Sequence, residues 1–425
     1  MLEKITNLLE NKLSMPMARL AEQRHLRAVR DGIIAILPLI IVGSFFLIIA
    51  NPPLPDSWGV TQYLKGNAST ILLPYRMTMY IMTMYATWGI GYSLAKSYKL
   101  DGVTGGILAA IAFMMTIVPQ VVEGMGFVMP MGNMGGGGMF VGIIVSIFAV
   151  EILRFTTTKN FRIKMPEQVP PSVARSFEAL TPTAILILFM AVVSYFLKFD
   201  WHGFVAKIVD PLVSASDSLP SVLLLVFLIT LFWSFGIHGV SIIGSLARPV
   251  WLQLLDQNTA AVAAGQAAPG IAAEPFYQWF IWVGGSGATI GLVIVMAIVC
   301  KSKYGKSLGR TALVPGIFNI NEPAIFGAPI VLNPILIIPF IVTPIILATL
   351  SWIAMSMDLV NKVTVTAPWT LPGPIGAFLA TGGDWRASVL NIICIIISII
   401  IYYPFVKMYD RKLLIEEKTG EGNII

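Results

Sequence analysis

Apolar runs close to the length that crosses a bilayer recur along this chain, and no other feature limits its fold so tightly. They lie at about 33–50, 73–95, 103–122, 139–153, 183–199, 219–237, 279–299, 334–355 and 388–406. A helix needs about 20 such residues to span the hydrocarbon layer. Backbone groups cannot stay unpaired in lipid, and the runs lack the short alternation of a membrane barrel, so helices are the expected spanning elements. The charge content agrees: at 12% charged and 56% hydrophobic, 425 residues carry too little charge to coat a soluble protein.

Basic residues orient the spans, because short Lys- and Arg-rich segments stay on the cytoplasmic side. The first run follows the basic amphipathic stretch "NKLSMPMARLAEQRHLRAVRD", with no short signal and small-residue cleavage site, so it reads as uncleaved. Further inside markers are Lys96 with Lys99, Arg154 to Lys164, the "CKSKYGKSLGR" after residue 299, and Lys407, Arg411 and Lys412. Parity then calls for one more span within 238–258, masked as a hydropathy peak by His238, Arg248 and Asp256. The expectation is an all-α polytopic membrane protein with about ten transmembrane helices plus re-entrant hairpins, multi-pass with both termini cytoplasmic. Composition divides it into an N-terminal membrane region at 1–165, an amphipathic connector and transition at 166–215, a C-terminal region of broken spans at 216–415 and a tail at 416–425.

Polar groups set between helix breakers mark the C-terminal region as the place for chemistry. In "VPGIFNINEPAIFGAPIVLNP", Pro315, Pro323, Pro329 and Pro334 argue against one uninterrupted helix. A re-entrant hairpin at about 312–333 would bring Asn321 and Glu322 inside, where a polar tip suits a hydroxyl-rich ligand. Glu322 can accept hydrogen bonds from two substrate hydroxyls when ionised, donate one when protonated, or serve as a buried or loop-capping carboxylate. His238, between Gly236 and Gly239 in "GIHG", offers a donor and an acceptor to a ligand, or fills a packing role. Glu274, before Pro275, divides evenly between a ligand and a cap. Asn333 reads either as a hydroxyl ligand or as the partner of the broken backbone beside Pro334. Trp369 and Trp385 are candidates to lie against a sugar ring or to anchor at the membrane interface. Arg248 reads as a boundary partner of Asp256, with phosphate attraction as the other option, and Asp384 with Arg386 as a boundary pair. His25 and His202 fall outside the expected site.

Other chemistries are disfavoured. Cys300 and Cys394 are too few and too far apart for a zinc or iron–sulfur site, and Cys300 precedes an inside loop, where a disulfide is not expected. The "GGGG" at 135–138 lacks the Gly-Lys-Ser/Thr ending of a phosphate loop. No metal or cofactor is expected. The net charge of +6 is accounted for by cytoplasmic loops and acidic lipid contacts, so no nucleic-acid partner is expected.

Taken together, "GIHG" at 236–239, "NEPAIFGAPIVLNP" at 321–334, "RHLRAVRDGIIAILPLIIVGS" and the order of broken segments resemble the EIIC component of the bacterial phosphoenolpyruvate-dependent sugar phosphotransferase system. Within it the chain is most similar to the diacetylchitobiose, cellobiose and lactose family, over residues 1–415. The resemblance implies a homodimer joined through the N-terminal region and a C-terminal region that carries the sugar across the bacterial cell membrane. It implies a cytoplasmic EIIB that donates phosphate to the sugar 6-hydroxyl, fed by EIIA, HPr and Enzyme I. It places Glu322 and His238 at that hydroxyl in catalytic roles, and it favours a β-linked disaccharide, cellobiose or diacetylchitobiose ahead of lactose. With no extra soluble region large enough for a fused EIIA or EIIB, those components are expected to be separate chains. An ion-coupled secondary transporter releasing unmodified sugar is the alternative, since it too would use broken helices around a polar midpoint.

Overall fold

The protein is represented by a computed structural model, which describes residues 23–50, 52, 57–163, 165–166, 168–169, 171–236, 238–328, 330–331, 333 and 335–419. Pro329, Pro334 and residues 420–425 of the expected tail lie outside the described residues. The chain divides into two compact units, one formed by Ala21–Phe46 with Leu72–Ser214, the other by Leu47–Ile71 with Ala215–Ile425. The helices used below are α1 (Arg24–Ala35), α2 (Leu37–Ala50), α3 (Met82–Ser97), α4 (Gly102–Met114), α5 (Met139–Thr158), α6 (Leu180–Met190), α7 (Trp201–Ser216), α8 (Leu219–Ser234) and α9 (Gly239–Ala263). They continue with α10 (Ile290–Val299), α11 (Lys303–Ile317), α12 (Glu322–Gly327), α13 (Ile337–Ser356), α14 (Gly373–Ala380) and α15 (Trp385–Thr419).

The fold is all-α in its membrane elements, but the expected count of about ten spans is corrected. Five helices among the described residues are long and apolar enough to cross a membrane: Arg24–Ala50, Gly136–Thr158, Ser176–Phe196, Ile337–Ser356 and Trp385–Lys418. A sixth is counted when Trp201–Ser216 and Leu219–Ser234, bent by 80° at their junction, are taken as one. The remaining apolar runs are broken into shorter pieces. The run at 103–122 ends as a helix at Met114, and its last residues enter a two-stranded antiparallel hairpin in which Gln120 pairs with Val128 and Val122 with Gly126. The run at 279–299 begins as a π-helical turn, Tyr277–Ile281, unwinds through a glycine-rich loop and resumes only as the ten-residue α10.

In the first unit small residues let helices approach closely, as expected where lipid supplies no drive to bury apolar surface. A Cβ on Gly91 of α3 would lie 2.4 Å from the Gly105 carbonyl of α4, and one on Gly32 of α1 would lie 2.5 Å from Ile90 of α3. His25 is taken up here by a polar cluster: it meets Glu151 at 3.1 Å, and Glu151 also accepts from Tyr98 and, at 3.0 Å, from Arg154. His202 meets the Thr116 hydroxyl at 3.1 Å.

In the second unit α10, α11 and α15 pack together through equally tight contacts. Gly309 of α11 sits against the α10 backbone, and Gly291 of α10 against Ser398 of α15. Asp410 of α15 receives the Lys301 and Ser302 N–H groups at 2.9 and 3.0 Å, which holds the start of α11 to that helix. On α13 the residues Ile338, Val342, Ile346 and Ile353 are all exposed at helical spacing, an apolar stripe suited to lipid.

Candidate functional site

The candidate site is assembled where regular helix stops. Helix α8 ends at Ser234, and Gly236 takes the left-handed conformation at φ +77°, its N–H donating to the Trp233 carbonyl at 2.9 Å. This is the usual glycine exit from a helix. Gly239 then starts α9 against the same helix: a Cβ there would fall 2.0 Å from the Ile229 carbonyl oxygen. Between these glycines His238 is exposed, and its ring centroid stands 4.4 Å from that of buried Trp233. A Cβ on Gly236 would lie 3.3 Å from Val331, so the histidine turn abuts the segment that follows Glu322.

Glu322 is reached through a second interrupted passage. Helix α11 closes in a two-bond cap, with Asn319 N–H on the Gly316 carbonyl and Ile320 N–H on the Pro315 carbonyl, both at 3.0 Å. Asn319 occupies the left-handed position of that cap at φ +61°. Asn321 caps the next helix through its carbonyl, which accepts from Ala324 and Ile325 at 2.9 Å. Glu322 then opens the six-residue α12 with Pro323 behind it, and its side chain is exposed. Glu322 and His238 thus stand at the ends of two interrupted segments that meet where the Gly236 turn abuts Val331.

Asn321, Asn333 and Glu274 are engaged in contacts within the chain. Asn321 turns its amide inward, donating to the Ser286 carbonyl at 2.8 Å. Asn333 caps α13, accepting from Ile335 and Leu336 N–H groups at 3.0 and 3.3 Å. Glu274 is held by Arg248, whose Nε and Nη2 reach Oε1 at 3.0 and 2.6 Å. The expected Arg248–Asp256 pair is thereby corrected: both residues belong to α9, and eight residues of helix separate them by about 12 Å of rise. One turn along the same two segments Trp251 faces Tyr277, with ring centroids 4.9 Å apart. Trp369 and Trp385 are both exposed. Asp384 and Arg386 do form a pair, at 2.9 Å. Burial pushes the Asp384 carboxyl up, but the guanidinium and the N–H groups of Asn361 and Arg386 outweigh it and hold the group below the usual carboxylate range.

Asn319 was not among the residues expected to matter. Its Oδ1 accepts from the Gly284 N–H at 3.0 Å, and its Nδ2 donates to the carbonyls of Trp369 at 2.8 Å and Leu371 at 3.0 Å. The signal was present, since an Asn just past an apolar helical run is a helix-ending residue. Its long-range partners were invisible, lying 35 to 52 positions away.

Residues 30–344 match the family described as "Phosphotransferase system, EIIC". The chain belongs to this family. The EIIC chain is similar, at 38% identity over 437 residues, to the "PTS system cellobiose-specific EIIC component" of Geobacillus stearothermophilus, covering 98% of this chain and 97% of that one. It is 39% identical over 441 residues to the "Lichenan permease IIC component" of Bacillus subtilis (strain 168), covering 99% and 97%. Its fold matches the crystal structure of ChbC, "the IIC component from the N,N'-diacetylchitobiose-specific phosphotransferase system", with a TM-score of 0.90 at 38% identity, covering 97% of this chain and 99% of that one. It is thus a multi-pass EIIC permease of the diacetylchitobiose, cellobiose and lactose group, the membrane component of a multi-subunit sugar phosphotransferase. Systems of this kind import by group translocation, with phosphate passing through Enzyme I, HPr, EIIA and EIIB to the sugar 6-hydroxyl.

Proposed function

We propose that this EIIC binds a β-linked disaccharide, cellobiose or diacetylchitobiose, and presents its 6-hydroxyl to cytoplasmic phospho-EIIB with Glu322 and His238 at the reacting end. The observation that carries the site reading is the exposed Glu322 at the head of α12, on a segment that the turn carrying exposed His238 abuts through Gly236 and Val331. The names printed for the similar chains support the substrate class. In this reading the bond from phosphorus to the EIIB side chain breaks as the bond to the sugar O6 forms, and the hydroxyl proton passes to the Glu322 carboxylate. His238 orients the hydroxyl. Little covalent work falls to the permease, so alignment of the hydroxyl with the donor is its main contribution.

Around that site, the C-terminal region at 216–415 carries the sugar and the N-terminal region at 1–165 joins two copies in a homodimer, with 166–215 as connector. The apolar stripe on α13 supports lipid contact, and the basic residues of α1 and α15 support cytoplasmic placement of both termini.

The test is uptake by proteoliposomes containing purified protein, given phosphorylated EIIB and a set of β-linked disaccharides, with the internal product and its phosphate position measured. The expected result is sugar 6-phosphate inside, and Glu322→Gln lowering its formation by about 10²-fold with membrane insertion unchanged. Robust import of unmodified sugar with no phosphoryl donor would overturn the reading in favour of an ion-coupled transporter.

A further inference from the structure

Glu322 faces a mechanical problem. It is exposed and begins a helix of six residues, so neither burial of its side chain nor a long helix fixes its position. What fixes the backbone is the turn before it. Asn319 is buried, at 7% exposure, and both protons of its amide nitrogen are committed to the carbonyls of Trp369 and Leu371 while the amide oxygen takes the Gly284 N–H. Two residues on, Asn321 takes the Ser286 carbonyl, so alternate side chains grip the loop on either side of Gly285. A side chain at that glycine would be strained: its φ is +100°, and a Cβ would lie 2.5 Å from the Asn321 side chain.

We propose that Asn319 is a positioning residue for phosphoryl transfer, setting the spacing between Glu322 and Trp369 through one amide bonded to both the 284 loop and the 369–371 turn. The proposal rests on the reading of Glu322 as the group at the sugar hydroxyl. Three separate stretches of chain meet at this side chain, and two of them carry exposed groups suited to a sugar: a carboxylate for its hydroxyls and the Trp369 indole for its less polar face. Displacement of one stretch against another by about 1 Å is enough to cost about 10²-fold in a reaction that depends on alignment.

Two variants separate positioning from simple structural support. Asn319→Gly keeps the left-handed backbone and removes all three bonds. Asn319→Asp keeps an oxygen toward Gly284 but faces the two carbonyls with an acceptor instead of donors. Both are reconstituted as the full chain with phospho-EIIB, and the kcat and KM for sugar phosphorylation are compared with equilibrium binding of the same disaccharide. The expected result is a fall in kcat of about tenfold or more with binding changed by less than about threefold. In a Glu322→Gln background the Asn319→Gly change is expected to cost less than about twofold more, because there is no longer a carboxylate to misplace. Unchanged kcat per sugar-binding molecule, a full multiplicative loss in the double variant, or loss of sugar binding in both variants would each overturn the proposal. A silent Glu322→Gln would instead overturn the reading beneath it.

Discussion

Arg248 and Glu274 show how a charged residue is kept in the interior of the molecule. Their side chains are 13% and 27% exposed and joined by hydrogen bonds from both Nε and Nη2, so each satisfies the other where water is scarce. Removing one partner leaves the other charge stranded, which costs more than the pair contributes. Glu274→Gln is therefore expected to lower stability by about 2 kcal/mol, and Arg248→Met with Glu274→Gln to recover part of it, measured by thermal unfolding in detergent. A tenfold loss of disaccharide affinity with unchanged melting would instead return Glu274 to the list of ligands. Glu322 and His238 were legible as chemical groups because each is a polar residue held between helix breakers in an apolar sequence. The partner of Arg248 was not, because it heads a short helical segment 26 positions away.

At the level of elements, the interrupted spans are stabilised by polar side chains that hydrogen-bond the backbone where the helix lets go. Asn319, Asn321, Asn391 and Tyr402 each bond a main-chain group in or beside the break between Tyr277 and α10. Such irregular backbone is tolerated in a membrane protein only when it is satisfied internally. Two glycines test the role of packing at equal backbone strain. Gly287 and Gly265 are both left-handed, at φ +86° and +74°, but a Cβ on Gly287 would fall 2.1 Å from the Phe340 ring while one on Gly265 meets open space. Gly265→Ala is expected to cost about 1 kcal/mol, and Gly287→Ala at least twice that, read as melting temperature and yield of detergent-stable protein. These breaks are also why hydropathy counts too many spans. It registers apolar residues along 103–122 and 279–299, but not the hairpin that follows the first helix or the glycine-rich loop that interrupts the second run.

On the scale of the whole molecule, the solvent for much of the surface is lipid, and the exposed stripe of α13 is the part to probe. Ile346 stands midway along that helix and is 40% exposed, so Ile346→Lys places a charge near the centre of a candidate span. The expected insertion penalty is about 2.5–3.5 kcal/mol, seen as loss of the variant from the membrane fraction. Normal membrane yield would show that this face of α13 borders water or protein. The two compact units differ in content: every residue proposed to touch sugar belongs to the one that includes Ala215–Ile425, and the polar cluster of His25, Tyr98 and Glu151 to the other.

The amino-acid sequence by itself determined that this chain is a helical membrane protein, and it singled out the breaker-rich second half, with Glu322 and His238, as the place to examine. These are consequences of composition and of local breakers, which act over a few residues. Only the tertiary structure decided how many helices are long enough to cross, which carboxylate holds Arg248, and that Asn319 ties the Glu322 turn to two distant loops. The last two depend on hydrogen bonds between groups 26 to 52 positions apart. A hydrogen bond needs its two atoms within about 3 Å, and such proximity is a property of the fold with no trace in the spacing along the chain.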